Sequence, residues 1–181
     1  MVDKDLESII NSMELFEGLS FYLTINNHKP AAIISSLYEE SAEDFGLRCK
    51  YTDLPSAVIV SYDQSSLKEL DRAIRSKDNF KIGVALGYPE RASKSFLKDG
   101  WDGTRFFMEV EKLFEETGEM PIHLAYLPYV PEPEAVRDES SESSVLGVEY
   151  MEFIKERSPS FSRKLEENFE ETVENIKYFK D

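Results

Sequence analysis

Apolar positions recur along this chain with two periods, and the changes of period mark out its elements. Leu6, Ile9, Ile10, Met13 and Phe16 fall on one helical face, with Gly18 where a left-handed cap would stand, so the spacing predicts a helix over 3–17. From Leu19 the period becomes two: Leu19, Phe21, Leu23 and Ile25 alternate with Ser20, Tyr22 and Thr24, the pattern of a half-buried strand, and Asn26 and Asn27 then turn the chain. Pro30 suits a first helical position ahead of Ile33, Ile34, Leu37, Tyr38 and Phe45, which predicts an amphipathic helix as far as Gly46. Two short runs at 47–52 and 57–62, joined through Asp53-Leu54-Pro55, predict paired strands, and the second is apolar on both faces and so expected to be central.

Ser66 and Glu69 have the spacing of a capping box, opening a helix that turns Leu67, Leu70 and Ile74 inward and ends near Lys77. Phe80, Ile82, Val84 and Leu86 alternate around small Gly83 and Ala85, predicting a strand that stops at Gly87-Tyr88-Pro89 and lets a neighbour pack close. A short helix over 90–98 is expected to stop at Gly100, and a longer one over 104–117 to bury Phe106, Phe107, Val110, Leu113 and Phe114 ahead of Gly118. Ile122, Leu124 and Tyr126 predict a last strand over 121–127. Residues 128–144 combine prolines with an acidic, serine-rich run and read as an exposed loop. Helices are expected over 145–157 and 159–179, the second with Ser158 as N-cap, Pro159 at its first position and a stripe of Phe161, Leu165, Phe169, Val173 and Ile176. The expected fold class is α/β (or α+β): a mixed sheet of about five strands covered by helices over 1–127, the acidic loop 128–144, and a helical pair over 145–181 packed on the core or on a partner subunit.

Composition narrows the function classes. At 181 residues one domain is the default. Twenty-one Lys and Arg against 36 Asp and Glu leave a net charge of −15, which repels phosphate backbones and anionic membranes, so neither nucleic acid nor a membrane is an expected partner. The start of the chain is acidic and amphipathic, unlike a signal peptide, and no run approaches the ~18 apolar residues of a membrane span, so the cytoplasm is the consistent compartment. Cys49 is the single cysteine, which excludes an internal disulfide, and its alternation with Leu47 and Tyr51 reads as core. With His28 and His123 the only histidines, a metal site would have to be built from carboxylates, so neither metal nor cofactor is expected.

The segment with most chemical character is 82–97, where a strand running through Gly87-Tyr88-Pro89 into a helix would aim backbone N–H groups and the helix dipole at an anion. Arg91, Lys94 and Lys98 follow at helical spacing, although neither phosphate-loop fingerprint is present and a turn needs Gly and Pro for backbone reasons alone. Gly87-Tyr88-Pro89-Glu90, an aromatic at Phe96, and His123 with Pro128 downstream resemble a family of archaeal domains of unknown function, over about the middle half of the chain. That family's Gly-Tyr-Pro turn is commonly followed by two adjacent cysteines. Here Arg91 and Ala92 stand in their place, so the resemblance implies no cysteine-dependent metal or redox role.

No nucleophile elbow or assembled catalytic motif is present. The leading expectation is therefore a non-catalytic protein-binding or regulatory module, its partner another protein or a second copy of the chain. The alternative is a site for an anionic small molecule, bound or acted on where strands end near Asp63, Gly87 and Leu127. There Gly87, Tyr88 and Arg91 would hold the anion, and Trp101, Arg105, His123 and Tyr129 would line the pocket.

Overall fold

The computed structural model describes residues 4–99 and 104–177, with the side chains of 4–5, 98–99 and 176–177 left aside. The chain divides into two compact units, residues 4–93 and residues 94 onward.

The first unit opens with helices α1 (Lys4–Ser12) and α2 (Leu15–Ile25). Residues 19–25 are therefore helical, not a strand. Gly18 to Thr24 are all buried, so no polar face survives to reveal a period of 3.6. The hydroxyl that looked solvent-facing is satisfied inside the helix, Thr24 Oγ1 donating to the Ser20 carbonyl at 2.8 Å. Gly18 lies within α2 and serves close approach rather than a cap: a Cβ there would stand 2.8 Å from the Ile10 carbonyl oxygen of α1.

The helix expected over 30–46 is mostly something else. Strand β1 (Ala32–Ser35) comes first, then a 3-10 turn over Ser36–Tyr38, and only α3 (Glu39–Asp44) is α-helical. Pairing along a neighbouring strand decides the conformation of β-branched Ile33 and Ile34 more strongly than local propensity does. Gly46, at φ +79°, does end α3, with Leu47 N–H reaching back to the Ala42 carbonyl at 3.0 Å.

β2 (Arg48–Tyr51) and β3 (Ala57–Ser61) follow, and β3 is central in a three-stranded antiparallel sheet of order β1-β3-β2. Ile33 opposes Ile59, which opposes Lys50 on the other side. These three strands are all that the described residues contain, against the five expected.

Helix α4 (Gln64–Ser76) buries Leu67, Leu70 and Ile74 as its spacing requires. Its N-cap is Asp63, whose carboxylate accepts from Ser66 N–H at 3.0 Å, in place of the Ser66–Glu69 box. Residues 80–86 form helix α5 (Asn79–Ala85), capped by Asp78, rather than a strand. Burial follows the helical rule: Gly83, Ala85 and Leu86 are buried and Ile82 half-buried, while Val84 is exposed. The small residues do admit a close neighbour, since a Cβ on Gly83 would meet Ser93 Oγ at 2.5 Å.

Helix α6 (Glu90–Asp99) carries the chain from the first unit into the second; Gly100, its expected stop, lies outside the described residues. In the second unit α7 (Thr104–Thr117) buries Phe106 and Val110, and Gly118 follows at φ +75°. The strand expected over 121–127 is a 3-10 helix, Ile122–Tyr126, packed on two later helices, α8 (Glu142–Arg157) and α9 (Pro159–Lys177). Leu124, Ala125, Tyr126 and Leu127 are buried consecutively, a pattern no half-buried strand can show.

Segment 128–144 is not an exposed loop throughout, because Pro128, Pro131, Glu132, Pro133, Ala135 and Val136 are buried around a second 3-10 turn, Pro133–Val136. Its serines cap and satisfy rather than solvate: Ser141 Oγ accepts from Ser144 N–H at 3.1 Å, opening α8. On α9 the expected stripe of Phe161, Leu165, Phe169 and Val173 is buried, with the Phe169 ring 6.4 Å from Phe106. Ile176 falls among the side chains left aside.

Candidate functional site

Among the described residues of the first unit, Lys29 is a buried charge with no ion-pair partner. After α2 the chain reverses through Asn26 and Asn27, the latter at φ 61°, and His28-Lys29-Pro30 run back into β1. The reversal lays Lys29 against the helix it has just left. Its Nζ donates to Ser20 Oγ at 3.0 Å and stands 4.7 Å from the centre of the Tyr88 ring. The residue keeps 5% of its exposure, and among the described residues no carboxylate pairs with it. Burial alone pulls its pKa from 10.5 down to about 7, because removing an ammonium from water penalises the charged form.

The walls around Lys29 come from three turns. Gly87, at φ +81°, presses on Pro30, and a Cβ there would stand 2.6 Å from Pro30 Cδ, so both conformation and space require glycine. Tyr88 N–H bonds the Gly83 carbonyl at 2.9 Å, which fixes the start of the turn that presents its ring to the lysine. From the end of β3, Ser61 Oγ donates to the Pro30 carbonyl at 2.6 Å and accepts from Asp63 N–H at 3.0 Å. The Asp63 carboxylate accepts from Ser65 Oγ and from the Ser66 N–H and hydroxyl, and these bonds, Ser65's first, hold its pKa down at about 2. Between two of these turns, the Asn27–Pro30 reversal and the β3–α4 junction, opens a cleft of about 320 Å³, lined by Asn27, His28, Lys29, Tyr62, Asp63 and Ser66 among others.

Of the residues singled out in the sequence, Tyr88 meets Lys29 and Gly87 meets the adjoining Pro30, while Arg91 lies exposed in the first turns of α6. Trp101 lies outside the described residues. The other three belong to the second unit. Arg105 lines an open cavity of about 560 Å³ with Met108, Glu109, Pro133 and Arg137; there the Arg137 guanidinium already pairs with Glu116 at 2.8 Å.

His123 is in the 3-10 turn, with a buried Nε2 that has no hydrogen-bond partner, and burial lowers its pKa against the opposing pull of Glu139. Tyr129 donates to Ser143 Oγ at 3.4 Å, Ser143 in turn to Glu132 Oε2 at 2.7 Å, and burial raises the tyrosine pKa. His123 and Tyr129 thus meet one face of α8, at Gly147 and Ser143, whereas Arg105 lines the cavity beside α7.

Cys49 is half-buried, its thiol donating weakly to the Glu39 carbonyl, with burial and then Glu43 and Glu39 raising its pKa to about 11; such a thiol is inert. Among the described residues no group of three or more His, Cys, Asp or Glu is placed to hold a metal ion, and no helix is long and apolar enough to cross a membrane.

The residue missed in the sequence is Lys29, with its partner Ser20. Lysines are almost always solvated, and nothing adjacent in sequence marks this one as an exception. No protein family, curated protein or solved structure matches the chain.

A buried, unpaired ammonium costs stability, and the pH dependence has a definite sign. Below about pH 7 Lys29 is charged whether folded or unfolded, so the full cost is present; above pH 7 the folded form is neutral, and the cost fades as pH climbs toward 10.5. Lys29→Met is therefore expected to stabilise the protein at pH 6 by a few kcal/mol and to remove the rise in stability between pH 7 and 10. Urea denaturation across that range checks it; a variant less stable than wild type at pH 6 contradicts it.

Proposed function

We propose that the first unit binds a small anionic metabolite in the cleft beside Lys29. A single observation carries the reading: a lysine 5% exposed, whose amine meets a hydroxyl and an aromatic face and no carboxylate. Charge attraction strengthens steeply as the local dielectric falls, so an anion reaching this ammonium supplies the counter-charge that the fold omits. The 320 Å³ cleft is at the small end of ligand cavities, which suits a metabolite rather than a nucleotide. Asn27, His28 and Ser66 offer hydrogen bonds there. Asp63 carries charge of the wrong sign, but that charge is engaged by the N-terminus of α4 and opposes an anion less than a free carboxylate would.

Because an anion favours the ammonium form, binding takes up a proton, and affinity is expected to fall by about tenfold per pH unit above pH 7. A thermal-shift series with malate, oxalate and inorganic phosphate at pH 6 and 8.5 tests this; saturation at about 100 Kd adds roughly 2.7 kcal/mol. The expected result is a shift at pH 6 that weakens at pH 8.5 and disappears in Lys29→Met. A shift equal in the variant, or stronger at pH 8.5, sinks the reading.

A second reading, a docking face for another protein, is favoured at the far end of β1. Leu37 is 85% exposed and Phe16 53%, and the segments that carry them are tied where the Glu17 carboxylate accepts from Ser35 N–H. Leu54 is also exposed in the 53–56 connection, whose Ser56 carbonyl accepts from Ser36 N–H at 2.9 Å. If this face docks, wild type is expected to self-associate or retain a stoichiometric partner in light scattering and crosslinking, and Leu37→Asp to abolish it. A monomer without a partner, unchanged by the substitution, removes this reading.

A further inference from the structure

We propose that Lys29 is a nucleophile that captures a small carbonyl compound, an aldehyde or a keto acid, as an imine in the same cleft. The inference rests on the reading of that cleft as a ligand site and goes beyond it in assigning a covalent step.

Three features set this amine apart from a surface lysine. It is buried, yet Lys29 lines a cleft large enough for a three- or four-carbon compound. It is positioned by Ser20 Oγ at 3.0 Å and by the Tyr88 ring, so its four-carbon stem has little freedom left to lose on reaction. No carboxylate pairs with it among the described residues, so nothing holds its proton, and an amine desolvated in this way is poised as a nucleophile near neutral pH. The amine itself meets Ser20 from α2 and the Tyr88 ring from the α5–α6 turn, and the cleft that Lys29 lines adds His28, Tyr62 and Asp63. Of these only Asp63 carries a full negative charge, and it is engaged by Ser65 and Ser66.

The step balances without a redox partner. The neutral amine attacks the carbonyl carbon, forming the C–N bond while the C=O π pair moves to oxygen. A proton passes from nitrogen to that oxygen, giving a carbinolamine. The nitrogen lone pair then expels the hydroxyl, which leaves as water by taking one proton from solvent, and the C=N bond that remains is an iminium still carrying the nitrogen's second hydrogen. Asp63, unprotonated down to about pH 2, is not the acid, so the protons come from the amine and from water. The carboxylate of a keto acid would sit beside the iminium and pair with it, joining this step to the anion preference argued above.

The test is reductive trapping on the full chain. The protein is incubated at pH 7.5 with pyruvate and, separately, with acetaldehyde, reduced with sodium borohydride, digested and mapped by mass spectrometry. Lys29 is expected to carry the secondary amine with pyruvate, formed about tenfold faster than at exposed Lys68. The rate is expected to rise between pH 6 and 8 and then level off. Labelling of Lys68 with Lys29 untouched by both probes, or labelling of Lys29 only in urea, overturns the proposal. If malate or phosphate still shifts the melting temperature while Lys29 stays unlabelled, only the nucleophile is lost; if neither shift nor adduct appears, the cleft reading fails as well.

Discussion

A lysine ammonium held out of water with no anion opposite is the constraint on which the first unit turns. Lys29 is reached from every element around it: α2 supplies Ser20, the α5–α6 turn supplies Tyr88, and the Pro30 that follows is wedged between the Gly87 backbone and the Ser61 hydroxyl. Uncompensated burial of a charge costs on the order of several kcal/mol, against a total stability of roughly 5–15 kcal/mol for an ordinary domain. Lys29 carries that cost in a residue that also lines a cleft, and the proposed anion is what would complete the pair.

The second unit shows what completion looks like. Tyr126, fully buried, shares its hydroxyl with Ser162 Oγ and Glu166 Oε1, both at 2.6 Å, and Lys155 Nζ reaches the same Glu166 oxygen at 2.9 Å. Burial pushes the Glu166 carboxyl up, but the bonds from Tyr126 and Lys155 outweigh it and leave the pKa below the usual value. Every charge in that network faces its opposite, so it specifies packing and asks for no ligand. On the same footing, the Lys50–Asp71–Arg75 cluster joins β2 to α4 as structure. Lys29 is the exception among these lysines.

How much of this was legible in the sequence follows from what a periodicity can record. Helix α7 and the buried stripe of α9 stood out because each has one wet face, and the central place of β3 stood out because Val58, Ile59 and Val60 are apolar on both sides. Residues 19–25, 80–86 and 121–127 carry a strand-like alternation for one shared reason: their small or hydroxylated residues are buried too, so an accidental period of two masks the helical one. Segment 30–35 erred in the other direction, since its strand exists only through pairing with β3. At the candidate site, the Gly87-Tyr88-Pro89 turn was visible as chemistry-bearing backbone. Lys29, the neighbour of its Tyr88 ring, lies 59 residues earlier in the chain, a juxtaposition that a local pattern does not encode.

The central claim is the protonation state of a single side chain, and it is directly measurable. Titrating the Lys29 side chain by NMR, through its ε-carbon shift assigned against Lys29→Met, reads the pKa without reference to ligand, stability or activity. A midpoint near 7 is expected, displaced by burial from the ordinary 10.5. A midpoint at or above 10 would mean that the amine is solvated or paired after all, and both the anion site and the nucleophile would fall with it.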